Sequence, residues 1–551
     1  MKIITSNTSK GAYLGVVGIL AKNMDGTSQN IVIAPDRFTA SVERGLISAL
    51  GIESTFGIEV MSFTRLASKL IGSDIKKCLT PEGSVMLIGK VIADNRDKLC
   101  YYQKVALQEG FASELYAALT AVRNSGISSQ DLLESSKQAN VSLQMKAKDL
   151  ALIYDGYLAA LEGKHSDSST RLYALAEFLK NNPSAIASTN FYITDIYDFS
   201  APELEIIKSI ANNALSLTVG ITSGYSNPNK RIYPDRVAKK LASLCEGRVQ
   251  IERNDENLPD SVDAISKKLF SYISTSADDK AENNGKVKLR SAKDRSDEVM
   301  RLALDVAEGV REGRRYKDFE VYASDLDAYG QEIKSTFARY EIPYFIDKKE
   351  LLSEQAKARF VLQAIACYRT DFRLGEVCDF IKNPLFSIYS RYGEEGAYLF
   401  ENYCLKYNVR FVPTSTEDCF KKHDERKVFN AKEQKSGFIY ANIDDKVEIL
   451  DNTVENVIPE AVRKEVVNIL TPERFKENKD IRAFVKLTRE LLEKIDPCYV
   501  KYVDKIASQS EYFRKCAEQV NSKLEAVLVE IEEVLDEQSD INKFESVFKS
   551  M

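Results

Sequence analysis

Apolar positions near the start of the chain alternate between two periods. Lys2 to Thr5 reads as a short strand, and Tyr13 to Lys22 as a helix. Ile31-Val32-Ile33-Ala34 reads as a second strand stopped by Pro35. From Asp36 to Leu50, Val42, Leu46 and Ala49 share one helical face, and Gly51 supplies the left-handed stop that a helix C-terminus favours. Ile58 to Phe63 reads as a third strand. Strand and helix in strict alternation predict a parallel sheet, whose strands need crossover connections. From about residue 75 only helical spacing remains: Phe111, Leu115, Leu119 and Val122 form one stripe, and Leu150, Ile153, Tyr157 and Leu161 the next. Strand signals return at Phe191 to Asp195 and Leu215 to Val219, so a helical block interrupts an α/β domain.

The pattern then repeats. Thr275 to Asn284 is polar and reads as a linker, followed by a strand from Val287 to Ser291. Val299, Leu302, Val306 and Val310 line one face of a helix that closes at Gly313, and Phe319 to Ala323 and Ile342 to Ile346 read as strands. Beyond about residue 355 the spacing is helical, with Leu524, Leu528, Ile531 and Leu535 in a final stripe. The expected class is α/β, in the layout of a superfamily 1 helicase: two parallel-sheet (RecA-like) domains with large all-helical insertions. Residues 1–75 with 186–275 form the first sheet domain (1A) and 76–185 its helical insertion (1B). Residues 285–355 begin the second (2A), and 356–551 form a helical 2B region.

Composition narrows this little. The 44% hydrophobic content and mean hydropathy of −0.28 suit a globular protein. The longest nearly apolar stretch, Ala12 to Ala21, falls well short of the ~18 residues of a membrane helix, and a secretory leader pattern is missing, so a cytoplasmic location is expected. The nine cysteines include no C-x-x-C pair, which excludes local zinc-ribbon and ferredoxin-like spacings and leaves buried reduced thiols. His165 and His423 sit in lysine-flanked polar segments and read as surface residues. A net charge of −6 advertises no global field for nucleic acid, although a local channel is hidden by such an average.

The loop after the first strand is where a phosphate-binding P-loop belongs, G-x-x-x-x-G-K-[ST]. Here Ile4-Thr5-Ser6-Asn7-Thr8-Ser9-Lys10-Gly11 keeps only Lys10; both glycines are gone, and Gly11 stands where a hydroxyl would hold Mg²⁺. Asp195 ends the fourth strand in the position of a metal-binding aspartate, but Ile196 follows where a water-activating glutamate belongs, and turn capping accounts for Asp195 equally well. Lys10 and Asp195 thus mark a vestigial nucleotide site. The basic runs Asn229 to Lys240 and Arg311 to Lys317 read as solvated charge.

Several segments resemble the AddB family, the second subunit of bacterial AddAB helicase–nucleases. Ala34-Pro35-Asp36-Arg37-Phe38-Thr39 is similar to its PDQMTF motif, and Val60-Met61-Ser62-Phe63-Thr64-Arg65-Leu66-Ala67 to VFSFSRLAW. Lys148 to Tyr154, Asp195 to Leu204, Tyr316 to Asp318, Tyr340 to Asp347 and Glu401 to Cys404 resemble further family segments, in the same order. The resemblance implies a RecC-like first domain that scans a DNA strand for the Chi signal, with Arg37, Thr39, Phe63, Arg65 and Tyr197 as the DNA-binding residues. Rings stack on bases, and arginine forks onto guanine or phosphate. Arg37 stands where the family has glutamine and Ser68 where it has tryptophan, which favours gripping the backbone over reading sequence. A core Phe63 and a capping Arg65 form the competing account.

The family implies an AddA-type helicase/nuclease partner in a heterodimer, DNA as single strand or duplex end, and no membrane. It implies ATP and Mg²⁺ for the complex and an iron–sulfur cluster in a C-terminal nuclease beyond residue 551, and no cofactor, metal or catalytic residue in this chain. The expected function is non-catalytic DNA holding in double-strand-break repair. Two alternatives remain: an active translocase with a degenerate P-loop, and an interaction scaffold with no role on DNA. The chain should neither bind nor hydrolyse ATP, with or without DNA; phosphate release that DNA stimulates and Lys10→Ala abolishes would establish the translocase instead.

Overall fold

Ile3, Ile31, Ile33 and Val219 fall on one side of an extended backbone and Ile4, Val32 and Tyr192 on the other, the two-residue alternation of strands buried on both faces. In the computed structural model these residues belong to a sheet of six strands, β1 (Lys2–Ser6), β2 (Gln29–Ile33), β3 (Ile58–Met61), β4 (Thr189–Ile193), β5 (Ser216–Thr222) and β6 (Gln250–Arg253). They pair in the order β3-β2-β4-β5-β1-β6, and every pairing is parallel. The structure describes residues 1–534 except 25–27, 56, 73–77, 107, 109, 163–164, 223–232, 245–247, 260–261, 263–264, 266–286, 348–350, 421–456, 474–479 and 508–510. The expected linker and His423 lie outside the described residues.

Up to residue 244 the helices are α1 (Ser9–Lys22), α2 (Thr39–Leu50), α3 (Phe63–Ile71), α4 (Pro81–Asp94), α5 (Phe111–Asn124), α6 (Ser129–Ser136), α7 (Val141–Leu161), α8 (Ser168–Asn181), α9 (Ala201–Asn213) and α10 (Tyr233–Leu244). Val16, Val17 and Leu20 of α1 and Val42 and Leu46 of α2 cover one face of the sheet. Leu66 of α3, Leu175 of α8, Ile207 of α9 and Leu241 of α10 cover the other. α1 lies unusually close to the strands. A Cβ on Gly15 would come within 2.5 Å of Ile4, and one on Gly220 within 2.8 Å of Val16.

By its contacts the chain divides into two compact units. One comprises Met1–Cys78, Ala118–Gln138 and Leu161–Lys349, and contains the sheet. The other comprises Leu79–Ala117, Ala139–Ala160 and Glu350–Met551, and its described elements are helical apart from a single bridge between Arg373 and Phe411. Buried charges organise both. In the first, Arg123 pairs with Asp167, each side chain 6% exposed. Arg123 also donates to Thr170 Oγ1 at 3.0 Å, while Asp167 caps α8 by accepting the Thr170 N–H at 2.7 Å. In the second, Glu530 accepts the N–H and hydroxyl of Thr80 at 2.9 and 2.7 Å, joining α4 to the helix Glu511–Val534. Arg463, fully buried, donates to Glu460 and to the carbonyls of Pro413, Ser415 and Glu417. No helix among the described residues is long and apolar enough to cross a membrane.

Four expectations change. The third strand ends at Met61, because Ser62 caps α3 by accepting the Arg65 N–H at 3.3 Å. β6 was not expected; all four of its residues are exposed, so no hydrophobic alternation marks it. The second parallel sheet is not formed among the described residues: 287–291, 319–323 and 342–346 are neither helix nor paired strand. Phe319, Ile342 and Ile346 pack against the helices Arg295–Arg311 and Leu326–Arg339, while Tyr322 and Phe345 are 87% and 79% exposed. One-sided packing reproduces the alternation of a strand without the ladder that would make one. His165 is half-buried, with Nδ1 enclosed, rather than a surface residue.

Arg123→Met should destabilise the sheet-containing unit by about 3–5 kcal/mol, the cost of leaving a buried charge uncompensated. Urea unfolding checks this, and a loss below ~1 kcal/mol would mean that water reaches the pair.

Candidate functional site

The first site is the turn between β1 and α1. Thr8 caps the helix, accepting the Gly11 N–H at 2.9 Å. Such a helix start favours an anion, because unpaired N–H groups and the helix dipole point at it. The chain supplies that anion itself. Glu256, just past β6, accepts the Thr8 hydroxyl at 2.5 Å and pairs with Lys10 at 3.3 Å. Asn7 and Glu256 exchange two further hydrogen bonds, Asn7 Nδ2 to the Glu256 carbonyl at 2.9 Å and Glu256 N–H to Asn7 Oδ1 at 2.8 Å. The Thr8 hydroxyl, and then Lys10, hold the Glu256 carboxyl below the usual glutamate range.

Gly11 has no room to be anything else. A Cβ there would lie 2.1 Å from Ser6 Oγ and 2.8 Å from the Asn254 carbonyl, so a metal-holding serine or threonine does not fit this turn. Lys10 keeps a side chain 74% exposed and paired to Glu256.

Asp195 belongs to a separate small enclosure. Its backbone is left-handed, with φ of 58°, a conformation that aspartate adopts more readily than most residues. With Ser9, Ala12, Thr194, Ile196, Tyr197, Gly220 and Thr222 it lines a cavity of ≈10 Å³, room for about one water. Burial raises its carboxyl, opposed by a 3.1 Å hydrogen bond from the Thr194 hydroxyl. Burial and then the Asp195 charge push Tyr13 up to about 12. Tyr197 closes the enclosure, its hydroxyl 2.9 Å from Ser9 Oγ, which in turn meets Thr222 Oγ1 at 3.1 Å.

The second site is the carboxyl edge of β3, β2 and β4, where ligands bind open parallel sheets. Two bonds continue the pairing beyond the strands: Ala34 N–H to the Met61 carbonyl and Thr194 N–H to the Ile33 carbonyl, both at 3.0 Å. The loops after these strands therefore leave side by side. Asp36 joins the first two, accepting the Thr64 hydroxyl at 3.0 Å and pairing with Arg65 at 3.4 Å. Arg65 remains 61% exposed. Arg37 is exposed and lies over the Phe38 ring at 4.7 Å, with that ring itself 38% exposed.

Of the five expected DNA-binding residues, Arg37, Arg65 and Tyr197 are exposed at this edge, Tyr197 at 49%. Phe63 and Thr39 are corrected. Phe63, 4% exposed, is the first residue of α3 and packs in the core. Thr39, 8% exposed, donates its hydroxyl to the Asp36 carbonyl at 3.1 Å and serves the turn. Neither presents a surface to a ligand. Phe38, Asp36 and Glu256 escaped the sequence reading. The Phe38–Arg37 pair was visible in principle as an aromatic beside a cation after a strand, whereas Glu256 lies 248 residues from Thr8 and carried no local signal. The basic run at 311–317 is neutralised in part by its own acids, Arg314 with Glu312 and Arg315 with Asp318; the first residues of the other run lie outside the described residues.

Glu256→Gln should lower the melting temperature at neutral pH. Because the folded carboxyl titrates below its ordinary value of 4.5, its contribution is complete above that pH and lost as pH falls through the folded value. Melting curves of parent and variant should therefore converge under acid conditions; a gap independent of pH would show that Glu256 acts through packing alone.

Residues 16–252 match the family model described as ADDB, N-terminal. Relatives described as the B subunit of an ATP-dependent helicase/deoxyribonuclease align over much more of the chain. That of Caldanaerobacter subterraneus subsp. tengcongensis is 24% identical over 82% of this chain and 42% of its own length. That of Clostridium perfringens (strain ATCC 13124) is 24% identical over 74% and 37%, and that of Bacillus cereus 25% identical over 70% and 35%. The chain thus spans about two fifths of the length of these relatives. Residues 16–252 thus match the AddB N-terminal domain, and over most of its length the chain is similar to B subunits of this kind.

Proposed function

We propose that this chain is a helicase-like DNA-holding module without ATPase chemistry of its own, acting in double-strand-break repair and recombination beside an AddA-type partner that supplies the motor. The observation that carries the reading is the contrast between two parts of one sheet edge. At the β1 turn, Glu256 and Tyr197 are hydrogen-bonded to Thr8 and Ser9, which supports a site that takes no nucleotide. Where a strand would cross, Arg65, Arg37 and Phe38 stand on adjacent loops.

Strands lie ~4.8 Å apart, so the loops after β3, β2 and β4 span roughly 10 Å, the scale of a few nucleotides. Guanidinium groups take phosphates, and the exposed rings of Phe38 and Tyr197 take base faces. Asp36 beside Arg65 holds that guanidinium in place. Phe63 and Thr39 act beneath the surface, in keeping with their burial. With arginine at position 37, gripping is favoured over reading, and Chi-type scanning would need base contacts beyond these residues. The domain boundaries given above are part of this proposal: the segments and helices between 287 and 346 follow the order of a second helicase-like domain. No cofactor in this chain enters the reading.

The test is fluorescence anisotropy with a labelled single-stranded oligonucleotide over a salt series. Arg65→Ala should flatten the slope of log K against log salt by about 0.7. Tyr197→Ala should weaken binding at every salt by about 1–3 kcal/mol. Phe63→Ala should instead lower stability by about 3–5 kcal/mol. Parental binding in both Arg65→Ala and Tyr197→Ala would overturn the sheet edge as the contact, and a parent chain that binds no oligonucleotide would favour a scaffold with no role on DNA.

A further inference from the structure

The all-helical unit carries a basic and aromatic loop that the reading above does not use. After α4 the chain runs Arg96-Asp97-Lys98-Leu99-Cys100-Tyr101-Tyr102-Gln103-Lys104. Leu99 is buried and anchors the loop. Asp149 of α7, 1% exposed, accepts three successive backbone N–H groups, from Cys100, Tyr101 and Tyr102, at 2.9, 2.8 and 2.9 Å. Three donors converging on one buried carboxylate hold the backbone without engaging the loop's side chains.

Those side chains are left for solvent. Arg96, Lys98, Tyr101 and Lys104 are all exposed, the Tyr101 ring at 42%. The ring is supported from within: Tyr102 meets it edge-on at 5.0 Å and packs in turn on Phe111 at 5.2 Å. Lys146, one turn before Asp149, places Nζ 4.7 Å from the Tyr101 centroid. Lys98 reaches only the amide oxygen of Asn95, at 3.0 Å. Among the described residues none of Arg96, Lys98, Lys104 and Lys146 forms an ion pair, whereas other exposed cations of this unit do, such as Lys382 with Glu401 and Lys464 with Asp418. Against these four positive charges the loop sets only Asp97.

We infer that this loop is a separate contact for single-stranded nucleic acid, in which the open face of Tyr101 stacks a base while Arg96, Lys98 and Lys104 meet the flanking phosphates. A single strand fits better than a duplex, because only unpaired bases expose faces to a ring. The inference shares its ligand class with the proposed function but none of its residues, so either stands without the other.

Ultraviolet cross-linking of the full chain to oligothymidine, with peptide mapping, separates the two. The segment 96–104 should cross-link in the parent and equally in an Arg37→Glu/Arg65→Glu variant that disables the sheet edge. Tyr101→Ala should abolish that cross-link and weaken binding in the latter background roughly tenfold, with Tyr101→Phe retaining it. Lys98→Glu/Lys104→Glu, at exposed positions that do not support the fold, should flatten the salt slope by about 1.4. No cross-link at 96–104, or unchanged binding in both Tyr101→Ala and the lysine variant, overturns the inference. Weaker binding in the Arg37/Arg65 variant with the 96–104 cross-link retained supports both proposals.

Discussion

Parallel pairing of the six strands is the constraint from which the rest of the sheet-containing unit follows. Each strand must be re-entered from the same end, so the connections cross the faces and helices cover both sides. The apolar residues must then serve two cores: one around Ile33, Phe63, Phe191 and Ile207, the other around Ile4, Val17, Val32 and Leu46. The carboxyl ends consequently gather at one edge, which brings together loops from residues 6–8, 34–38 and 194–200. Gly15 and Gly220 let α1 approach closely enough to seal that arrangement.

Along this edge the electrostatics change sign. At the β1 turn a carboxylate from beyond β6 neutralises the helix N-terminus and Lys10, leaving no positive opening for a phosphate. At the β2 and β3 loops one carboxylate, Asp36, is shared between Thr64 and Arg65, and the neighbouring Arg37 keeps its charge. Cations therefore stand over β3 and β2, and a paired carboxylate over β1. The same division separates core from surface in the helical unit. Arg463 and Lys357 are buried and paired, Lys357 with Asp496 and Asn521, while the loop at 96–104 leaves its cations open.

Local chemistry made much of the first unit readable. Five of the six strands and the helix stop at Gly51 follow from spacing and residue type, as do, elsewhere in the chain, the long helices Phe111–Asn124 and Val141–Leu161. So does the exposure of Arg37 and Arg65, since arginines after strands rarely stay buried unpaired.

Distance along the chain hid the rest. Glu256 reaches Thr8 only because β6 pairs with β1, and no periodicity announces an exposed edge strand. Phe63 reads as a strand end because it continues the alternation of Ile58 to Met61; only the Ser62 cap and the packing of α3 turn it into the core. The segments at 319–323 and 342–346 alternate like strands, yet alternation records one buried face and not a hydrogen-bonded neighbour. Residue type and spacing determine which faces of an element seek burial. Which element answers, and whether a charge ends beside a partner or in water, is decided by three-dimensional proximity, because long-range pairing energies leave no trace in the local pattern.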